Sequence, residues 1–431
     1  MLALLGITIS LLVSASSLPI TGPNEYGIIL DAGSSSTKIR IYSWTDTFLE
    51  APKFAEEFYF KVSPGIGSLG GQDAEILAYM QNIMDALKEE VPKEFWPTTS
   101  IYVMATAGLR LLHEDETGAI MDDVQATLGN PEVNPFRFLP ENAHILSGEE
   151  EALFAWLTVN YLTGFFVGNR HFTDSYGLIE LGGGSAQIAF IPDDPIYAGK
   201  MPATIAGREY GVYCHSHLSY GASLIAERIV EYLVRENPYA NVIVNPCMLK
   251  GDSANNTVLG KAIGLVGGGN ASLCESLLNH FLATAEPDMC SPKPCSIGQV
   301  YQPPVKARTF FTFGLIYYLA KDLKILDGPG TLDLAKMQTL ARVYCQQSYD
   351  DAVSVLNMSP KYASRNCQDG LYIPLLFSAL GFQLDTQQVM AAGDINKSSV
   401  AWSLGGMLYE EERSRYMELT ESIMGHESTG L

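Results

Sequence analysis

The chain is poor in basic residues. It has 27 lysine and arginine residues against 48 aspartate and glutamate residues, which gives a formal net charge of −21 over 431 residues. This charge argues against binding to the phosphate backbone of nucleic acids and to anionic membrane surfaces. An anionic small-molecule substrate would then be bound by backbone N–H groups and a metal ion rather than by a basic surface. The length itself predicts two or three domains.

Long apolar runs are also rare. A short apolar run over residues 2–13, followed by the small residues 14–17, predicts a secretory signal peptide over residues 1–17. No basic residue precedes the run, so an uncleaved signal anchor and a buried first helix are the alternatives. The next apolar run, 310–320, contains Thr312 and Gly314. We therefore expect no stable membrane span in the mature chain.

Cysteine is absent before Cys214. Among the later cysteines, Cys290 and Cys295 are close enough for a local loop, and Cys345 and Cys367 bracket another short segment, which fits an oxidising compartment. A zinc site is the alternative, but the chain has no Cys-x-x-Cys spacing. Possible N-glycosylation sites agree with a secreted glycoprotein, and they are Asn255, Asn270, Asn357 and Asn396.

One strand-turn-strand pattern occurs twice. In each copy an apolar run ends in an acidic residue, a glycine and a hydroxyl residue, and alternating apolar positions follow; the copies are Asp31–Thr37 and Glu180–Gln187. Glycine-rich turns present successive N–H groups to an anion, and an acidic residue beside them can hold the water shell of a divalent cation. The sequence therefore predicts a two-sided phosphate clamp.

Hydrophobic periodicity predicts the elements around these turns. Helices are expected over Asp73–Glu90, Glu149–Leu162 and Ala222–Glu236, and a strand over Ser100–Met104. Residues 237–304 are rich in loop-forming residues, and the chain from Phe310 onward is expected to be mostly helical. The alternation of strands and helices favours an α/β architecture with largely parallel strand pairing.

Five segments together resemble the signature regions of the apyrase family, the nucleoside triphosphate diphosphohydrolases, in residue type, order and spacing. They are Asp31–Thr37, Ala105–Arg110, Ser147–Trp156, Leu181–Gln187 and Ala401–Met407. The similarity extends from Tyr26 to Tyr409. It implies an α/β, actin-like (RNase H-like) two-domain fold with the nucleotide in the cleft between the domains. The first domain would comprise residues 24–147 and 395–431, and the second, with disulfide-containing insertions, residues 148–394.

The resemblance also implies a hydrolase reaction, in which water attacks and removes the terminal phosphate of nucleoside tri- and diphosphates while Ca²⁺ or Mg²⁺ bridges the phosphates. Phosphoryl transfer to water needs in-line positioning, neutralisation of charge and a base. The catalytic glutamate of the family aligns with Glu151, and Glu150 is the fallback. Glu149 and Glu150 otherwise fit the first turn of a helix, where acidic residues complement the dipole. Ser185 and Gln187 would position the water.

Phosphate- and metal-binding residues follow from the same resemblance. Asp31 and Glu180 would hold the metal ion through water. The residues that would bind the phosphates are Gly33, Ser34, Ser35, Ser36, Thr37, Thr106, Ala107, Gly182, Gly183, Gly184, Ser185 and Ala186. Arg110 is expected to be structural, and Trp402 to pack near the cleft. Two residues depart from the family pattern: Glu180 stands where aspartate is usual, and Ala152 where glycine is usual.

The nucleobase contacts are the least readable part of the sequence. Family members have an aromatic residue directly before the second cysteine of the pair at 345 and 367, but this chain has Asn366 there. Tyr362 and Tyr318 are the possible substitutes, and each also fits ordinary core or surface.

The disulfide pattern of the family implies three pairs here. Cell-surface relatives have a further cysteine where this chain has Ser219, and the partner of that cysteine is also missing. The implied pairs are Cys247 with Cys274, Cys290 with Cys295, and Cys345 with Cys367, and Cys214 stays unpaired.

The resulting hypothesis is a secreted, soluble hydrolase of nucleotides in the extracellular space or the secretory lumen. One alternative is a catalytically weak nucleotide-binding protein of the same fold that sequesters or senses nucleotides; its support is Glu180 and Ala152. Another is a different actin-like protein, such as a polyphosphate phosphatase or a sugar kinase, which the Trp402 segment, the signal and the cysteines disfavour. The sequence does not specify an oligomeric state.

Overall fold

The computed structural model describes residues 25–33, 36–45, 51–69, 73–283, 290–306 and 308–427. The signal peptide and the residues Ser34 and Ser35 of the first turn lie outside the described residues. The strands are β1 (Glu25–Ala32), β2 (Thr37–Trp44), β3 (Ala55–Val62), β4 (Ser100–Ala105), β5 (Ala143–Ile145), β6 (Gly177–Leu181), β7 (Ser185–Phe190), β8 (Lys200–Ile205), β9 (Arg208–Leu218), β10 (Val242–Asn245), β11 (Ser253–Val258), β12 (Lys261–Gly267), β13 (Phe310–Thr312), β14 (Gly330–Thr331), β15 (Val389–Ala391), β16 (Asp394–Ile395) and β17 (Ser398–Ser399).

The helices are α1 (Asp73–Glu90), α2 (Ala107–Arg110), α3 (Glu114–Leu128), α4 (Gly148–Leu162), α5 (Ala222–Glu236), α6 (Ala271–Leu282), α7 (Leu315–Asp322), α8 (Leu334–Tyr344), α9 (Tyr349–Ser354), α10 (Ala363–Ala379) and α11 (Trp402–Glu427). Short 3₁₀ turns cover Ile66–Leu69, Lys93–Phe95, Pro140–Asn142, Phe172–Asp174 and Ile297–Gln299.

Two mixed sheets share one strand order. The first sheet runs β3-β2-β1-β4-β5, in which β3, β2 and β1 are antiparallel neighbours and β1, β4 and β5 are parallel neighbours. The second sheet repeats this arrangement as β9-β7-β6-β13-β15, with β8 and β14 added at its edges. The duplication seen in the two turns therefore extends to whole sheets.

Several sequence predictions of local structure are confirmed. Helices α1 and α5 have the predicted bounds, α4 begins one residue earlier than predicted, and β4 covers the predicted strand. The expectation of largely parallel pairing is wrong, because each sheet starts with three antiparallel strands that follow directly from the duplicated hairpin.

The last third of the chain contains more strand than expected. β13, β14 and β15 interrupt the region predicted as mostly helical, and residues 237–304 contain β10, β11, β12 and α6. These strands are two to seven residues long. Segments this short carry too few residues for their period to be recognised from one sequence.

One hydrophobic core lies between the two sheets. It combines residues of the first sheet, such as Ile29 and Met104, with residues of the second sheet, such as Leu178 and Val212, and with the apolar residues of α4 and α11. Trp402 belongs to this core and stacks on Phe154, with 6.3 Å between the ring centroids. Separate cores cover the outer faces, with α1 and α3 on the first sheet and α5, α6, α8 and α10 on the second. Helices thus cover both faces of each sheet, as α/β folds require.

Helices α4 and α11 approach each other closely in this central core. The amide of Gly405 in α11 donates a hydrogen bond to Oγ1 of Thr158 in α4 over 2.8 Å. A Cβ atom at position 405 would lie 1.9 Å from the carbonyl oxygen of Phe154, so the contact requires glycine. Thr158 Oγ1 also lies 2.9 Å from the carbonyl oxygen of Ala401, which precedes α11.

The three implied disulfides are confirmed. The structure has the pairs Cys247–Cys274, Cys290–Cys295 and Cys345–Cys367, and Cys214 is buried with a free thiol. In the part of the chain that the structure describes, the helices are too short or too polar to cross a membrane.

We expect Gly405→Ala to lower the free energy of unfolding by about 1–3 kcal/mol, because the added methyl group must push α4 and α11 apart. Urea denaturation would measure the change. Gly118→Ala is the matched control, since a Cβ there has no neighbour within 4 Å. That variant should be neutral or stabilising by up to about 1 kcal/mol, because alanine is the better helix former. Equal stability of the two variants would show that the helices do not depend on this contact.

Candidate active site

The two predicted turns have matching geometry. The amide of Gly33 donates a hydrogen bond to the carbonyl oxygen of Ser36 over 3.1 Å, and the amide of Gly182 donates one to the carbonyl oxygen of Ser185 over 3.0 Å. Each bond closes the turn of an antiparallel hairpin, β1-β2 or β6-β7. The turns are therefore equivalent positions of the duplicated fold.

The acidic residues of the two hairpins also occupy equivalent positions. Asp31 pairs with Lys38 across β1 and β2, and Glu180 pairs with Gln187 across β6 and β7. Because side chains alternate along a strand, Asp31 shares a face with Ile29 and Glu180 with Leu178. Ile29 and Leu178 both belong to the central core. Both carboxylates thus point to the side on which the sheets face each other.

Helix α4 begins beside these carboxylates with a capping box. Ser147 accepts a hydrogen bond from the amide of Glu150 over 3.1 Å, and the Glu150 carboxylate accepts one from the amide of Ser147 over 2.8 Å. Glu149 points elsewhere and lies 3.2 Å from Nδ1 of His215. Capping and ion pairing therefore occupy two of the three consecutive glutamates.

Glu151, the third glutamate, faces the second hairpin. Its carboxylate accepts hydrogen bonds from the Arg110 guanidinium and from Nε2 of Gln187, the latter over 3.2 Å. Gln187 Nε2 also lies 2.7 Å from Oγ of Ser185 and 3.2 Å from Oγ of Ser216. The structure thus brings together the three residues that the sequence predicts to be catalytic, Glu151, Ser185 and Gln187, and adds Arg110 and Ser216 to them.

Burial raises the pKa of two carboxyl groups of the site, those of Glu151 and Glu180. It raises the pKa of Glu151 to about 7, an effect that the Arg110 guanidinium opposes and the Asp31 carboxylate reinforces. Burial, followed by the negative charge of Glu151, raises the pKa of Glu180 to about 8. Oε2 of Glu180 is buried and has no hydrogen-bond partner among the described residues. Positive side chains therefore offset only part of the cost of burying these carboxylates.

The turn after β4 reaches the second hairpin. The amide of Thr106 donates to the carbonyl oxygen of Ala32 at the end of β1 over 3.2 Å, and α2 starts with Ala107. A Cβ atom at Gly184 would lie 2.9 Å from Cβ of Ala107, so the two backbones are in close contact. Residues of three predicted phosphate-binding segments therefore line one space.

Three polar residues that contact the predicted site residues have no functional prediction from the sequence. Arg110, which is expected to be structural, forms an ion pair with Glu151. Ser216 belongs to none of the sequence motifs. Its position against α4 depends on Gly148, because a Cβ atom on that residue would lie 2.2 Å from Cβ of Ser216. Lys38, whose Nζ lies 3.1 Å from Oδ2 of Asp31, occupies the position that Gln187 has in the second hairpin. That equivalence is the signal that could have identified Lys38.

The candidate nucleobase contacts differ in exposure. Asn366 is buried, and its Nδ2 donates to Oδ2 of Asp322 over 3.1 Å, so it does not replace the aromatic residue of the family. Tyr362 and Tyr318 are exposed, with 44% and 61% of their surface accessible. Both tyrosines stay predictions as base-stacking residues.

A metal ion would have to be held here with the help of water. Within the described ranges, no group of three or more His, Cys, Asp or Glu side chains is arranged to hold a metal ion directly. Asp31 and Glu180 supply oxygen atoms, which Ca²⁺ and Mg²⁺ prefer, and Oε2 of Glu180 has no hydrogen-bond partner among the described residues. The residues present therefore fit a hydrated divalent cation.

The chain matches a known protein family over most of its length. Residues 19–423 match the GDA1/CD39 (nucleoside phosphatase) family. The chain is similar to ectonucleoside triphosphate diphosphohydrolase 3 of Homo sapiens, with 29% identity over 89% of this chain and 78% of the relative. It is also similar to the guanosine-diphosphatase of Schizosaccharomyces pombe, with 29% identity over 93% of this chain and 76% of that protein. Among solved structures, the chain is similar to a nucleoside triphosphate hydrolase from Neospora caninum, with a TM-score of 0.66 and 15% identity. The match covers 89% of this chain and 92% of that chain.

The duplicated sheets and their equivalent turns define an α/β, actin-like two-domain fold. Within that class, the chain belongs to the GDA1/CD39 (nucleoside phosphatase) family of nucleotide-hydrolysing enzymes. The resemblance to the apyrases that the five segments carry is confirmed.

The raised pKa of Glu180 predicts a pH-dependent stability. Its folded pKa is about 8 against an ordinary value of 4.5, so between these values the folded state keeps a proton that the unfolded chain has released. Stability should fall as the pH rises through this window. In chelator, we expect the melting temperature to decrease by at least about 2 °C from pH 5.5 to pH 8.5, and Glu180→Gln to reduce that decrease.

Glu149→Gln is the control for this measurement. A hydrogen bond from His215 lowers the pKa of Glu149. Replacing the Glu149 carboxylate should therefore leave the decrease in melting temperature above neutral pH unchanged. If wild type and Glu180→Gln showed the same pH dependence, Glu180 would not be the protonated group.

Proposed function

We propose that the protein is a secreted hydrolase that depends on a divalent cation and removes the terminal phosphate from nucleoside tri- and diphosphates. Water activated by Glu151 attacks the phosphate directly. One observation carries this proposal: Glu151 projects from the start of α4 onto Gln187 and Ser185, beside two equivalent glycine turns with carboxylates.

Glu151 has the properties of a general base. Its buried carboxylate has a pKa near 7, and a base with a pKa close to the working pH combines availability with basicity. Arg110 holds one side of the carboxylate. Gln187 and Ser185 provide an amide and a hydroxyl group beside it, which can orient a water molecule for in-line attack. Ser216 fixes the Gln187 amide from the other side.

The turns are the proposed phosphate sites. Backbone N–H groups of the Gly33–Thr37 and Gly182–Ala186 segments bind the phosphates, and Thr106 and Ala107 approach the terminal phosphate. Asp31 and Glu180 hold Ca²⁺ or Mg²⁺ through water. When bound, the cation neutralises negative charge on the phosphates and the carboxylates.

The proposed location is the extracellular space or the lumen of the secretory pathway. Three disulfides support an oxidising compartment. Several relatives are named as ectoenzymes, for example ectonucleoside triphosphate diphosphohydrolase 3. The proposed signal peptide agrees with both points.

A panel of nucleotides tests the proposed function. We expect the purified protein to release phosphate from at least one of ATP, ADP, GDP and UDP with Ca²⁺ or Mg²⁺, and excess chelator to abolish the release, because Lys38 and Arg110 are already paired with Asp31 and Glu151 and cannot alone offset the charge of the phosphates. Phosphate would be measured colorimetrically. Full activity in chelator would contradict the metal dependence, and no release from any nucleotide with either metal would favour a nucleotide-binding protein without turnover.

Replacement of the base tests the role of Glu151. We expect Glu151→Gln to lower turnover by about 10²-fold or more, since a positioned base contributes about this much, while nucleotide binding is retained. Glu150→Gln is the matched control, because the Glu150 carboxylate is engaged by Ser147 in the cap of α4. Near-normal turnover of Glu151→Gln together with an inactive Glu150→Gln would reassign the base to the neighbouring glutamate.

A further inference from the structure

Lys38 is the basic residue nearest the turn of the first hairpin; the other basic residue of β2, Arg40, is bonded to Glu56. Lys38 lies on β2 directly across from Asp31 on β1, and its Nζ lies 3.1 Å from Oδ2 of Asp31. Asp31 is nearly inaccessible, with 5% of its surface exposed, whereas the Lys38 side chain is 43% exposed. The ammonium group is therefore carried by the more solvent-accessible partner of this ion pair.

The second hairpin shows what a residue at this position does. Gln187 is the equivalent of Lys38, and its side chain reaches Glu151 and Ser185. Cross-strand partners share a face of the sheet, so Lys38 points to the same side as Asp31. Both members of the repeat therefore direct a polar side chain into the space between the turns.

The positive charge of Lys38 also acts on the other two carboxylates. Burial raises the pKa of Glu151 and of Glu180, and the Lys38 ammonium opposes the rise in both. Arg110, the other cation near these groups, is already bonded to Glu151. Lys38 is thus the cation of this cluster that has both a partly exposed side chain and a flexible stem.

Nucleotide binding would change the partners of this ammonium group. Phosphate oxygens bring several negative charges to the turns, and an ammonium group with three N–H donors binds phosphate well. A divalent cation at Asp31 would repel the ammonium group from that carboxylate at the same time. The stem of Lys38 is long enough to exchange one neighbouring anion for another.

We propose that Lys38 is a further substrate-binding residue, which neutralises Asp31 in the free protein and transfers to the phosphates of the bound nucleotide when a divalent cation occupies the site. The inference rests on the proposed function, since it assumes that nucleotide phosphates bind at the two turns. It gives Lys38 two opposite effects. Lys38 competes with the cation when nucleotide is absent, and it strengthens the binding of nucleotide when the cation is present.

Two binding measurements on Lys38→Gln separate these effects. Without nucleotide, we expect Mn²⁺ to bind at least about threefold more tightly than to wild type, as followed by the electron paramagnetic resonance of free Mn²⁺. With saturating Mn²⁺, we expect the imido analogue of ATP, whose terminal bridge resists hydrolysis, to bind about tenfold more weakly in calorimetry. A residue that only supported the hairpin would weaken both affinities.

Three further variants complete the experiment. Lys38→Met removes the charge while retaining an unbranched stem. The same changes in both affinities are expected for it, so it replaces Lys38→Gln if the glutamine variant fails to fold. Lys38→Arg should restore nucleotide binding to within about threefold of wild type, because the charge is kept. Lys61→Gln is the matched control, since Lys61 is the cross-strand neighbour of Lys38 on β3, one strand further from Asp31, and is exposed. Its effects on both affinities should be below twofold.

The outcomes distinguish this inference from the proposed function. Weaker Mn²⁺ binding to folded Lys38→Gln or Lys38→Met, or unchanged binding of the ATP analogue, would overturn the role of Lys38. Because both readouts are binding constants, they do not require turnover. Failure of wild type to hydrolyse the nucleotide panel would instead overturn the proposed function. The two binding measurements on Lys38→Gln could still be interpreted in that case.

Discussion

The close contact of α4 and α11 is the constraint on which the arrangement of the two sheets depends. Both helices contribute to the single core that the inner faces of the sheets share. Thr158 and Gly405 allow the helices to approach at backbone distance and join them by a hydrogen bond. The two hairpin turns belong to different sheets, so their separation is set by what lies between the sheets. A site assembled from both turns therefore requires this helix pair to be packed in one way.

Electrostatic imbalance is the second constraint. Asp31, Glu151 and Glu180 lie near one another, and the side chains that offset their charge are Lys38 and Arg110. A protein with a strong excess of acidic residues cannot attract an anionic substrate by its overall field. The substrate must instead be attracted by local backbone donors, by a cation that arrives with it and by the few positive side chains. The raised pKa of the buried carboxylates and the proposed need for a divalent cation are then two results of the same charge distribution.

The sequence was most informative where function and local structure use the same residues. Glycine, an acidic residue and a hydroxyl residue at the end of a strand form a local pattern, so both turns and their equivalence could be recognised before the fold was known. The capped start of α4 could be recognised as well, because acidic residues cluster there. The choice of Glu151 among the three glutamates came from the family resemblance and not from the local pattern, since the glutamate that reaches Gln187 is set by the phase of α4 relative to β7.

Long-range proximity explains the other omissions. Ser216 reaches Gln187 because Gly148 lets α4 lie against β9. Gly148 and Ser216 are too far apart in the sequence for a local pattern to relate them. The strands β13 and β15 were missed because their three residues pair inside the second sheet with strands distant in sequence. The mixed pairing of the sheets was missed for a related reason: crossovers predicted parallel strands, while the antiparallel hairpins dominate one side of each sheet.

The position of α11 has a consequence for synthesis of the chain. This helix is the last of the described elements, yet it packs on β1 and β2, the first two described strands, and on α4. A ribosome that adds about 5–20 residues per second exposes the inner face of the first sheet for tens of seconds before α11 is made. The nascent chain must therefore hold an uncovered apolar surface until α11 has been made, and chaperones that bind such surfaces are expected to act on this protein during that time.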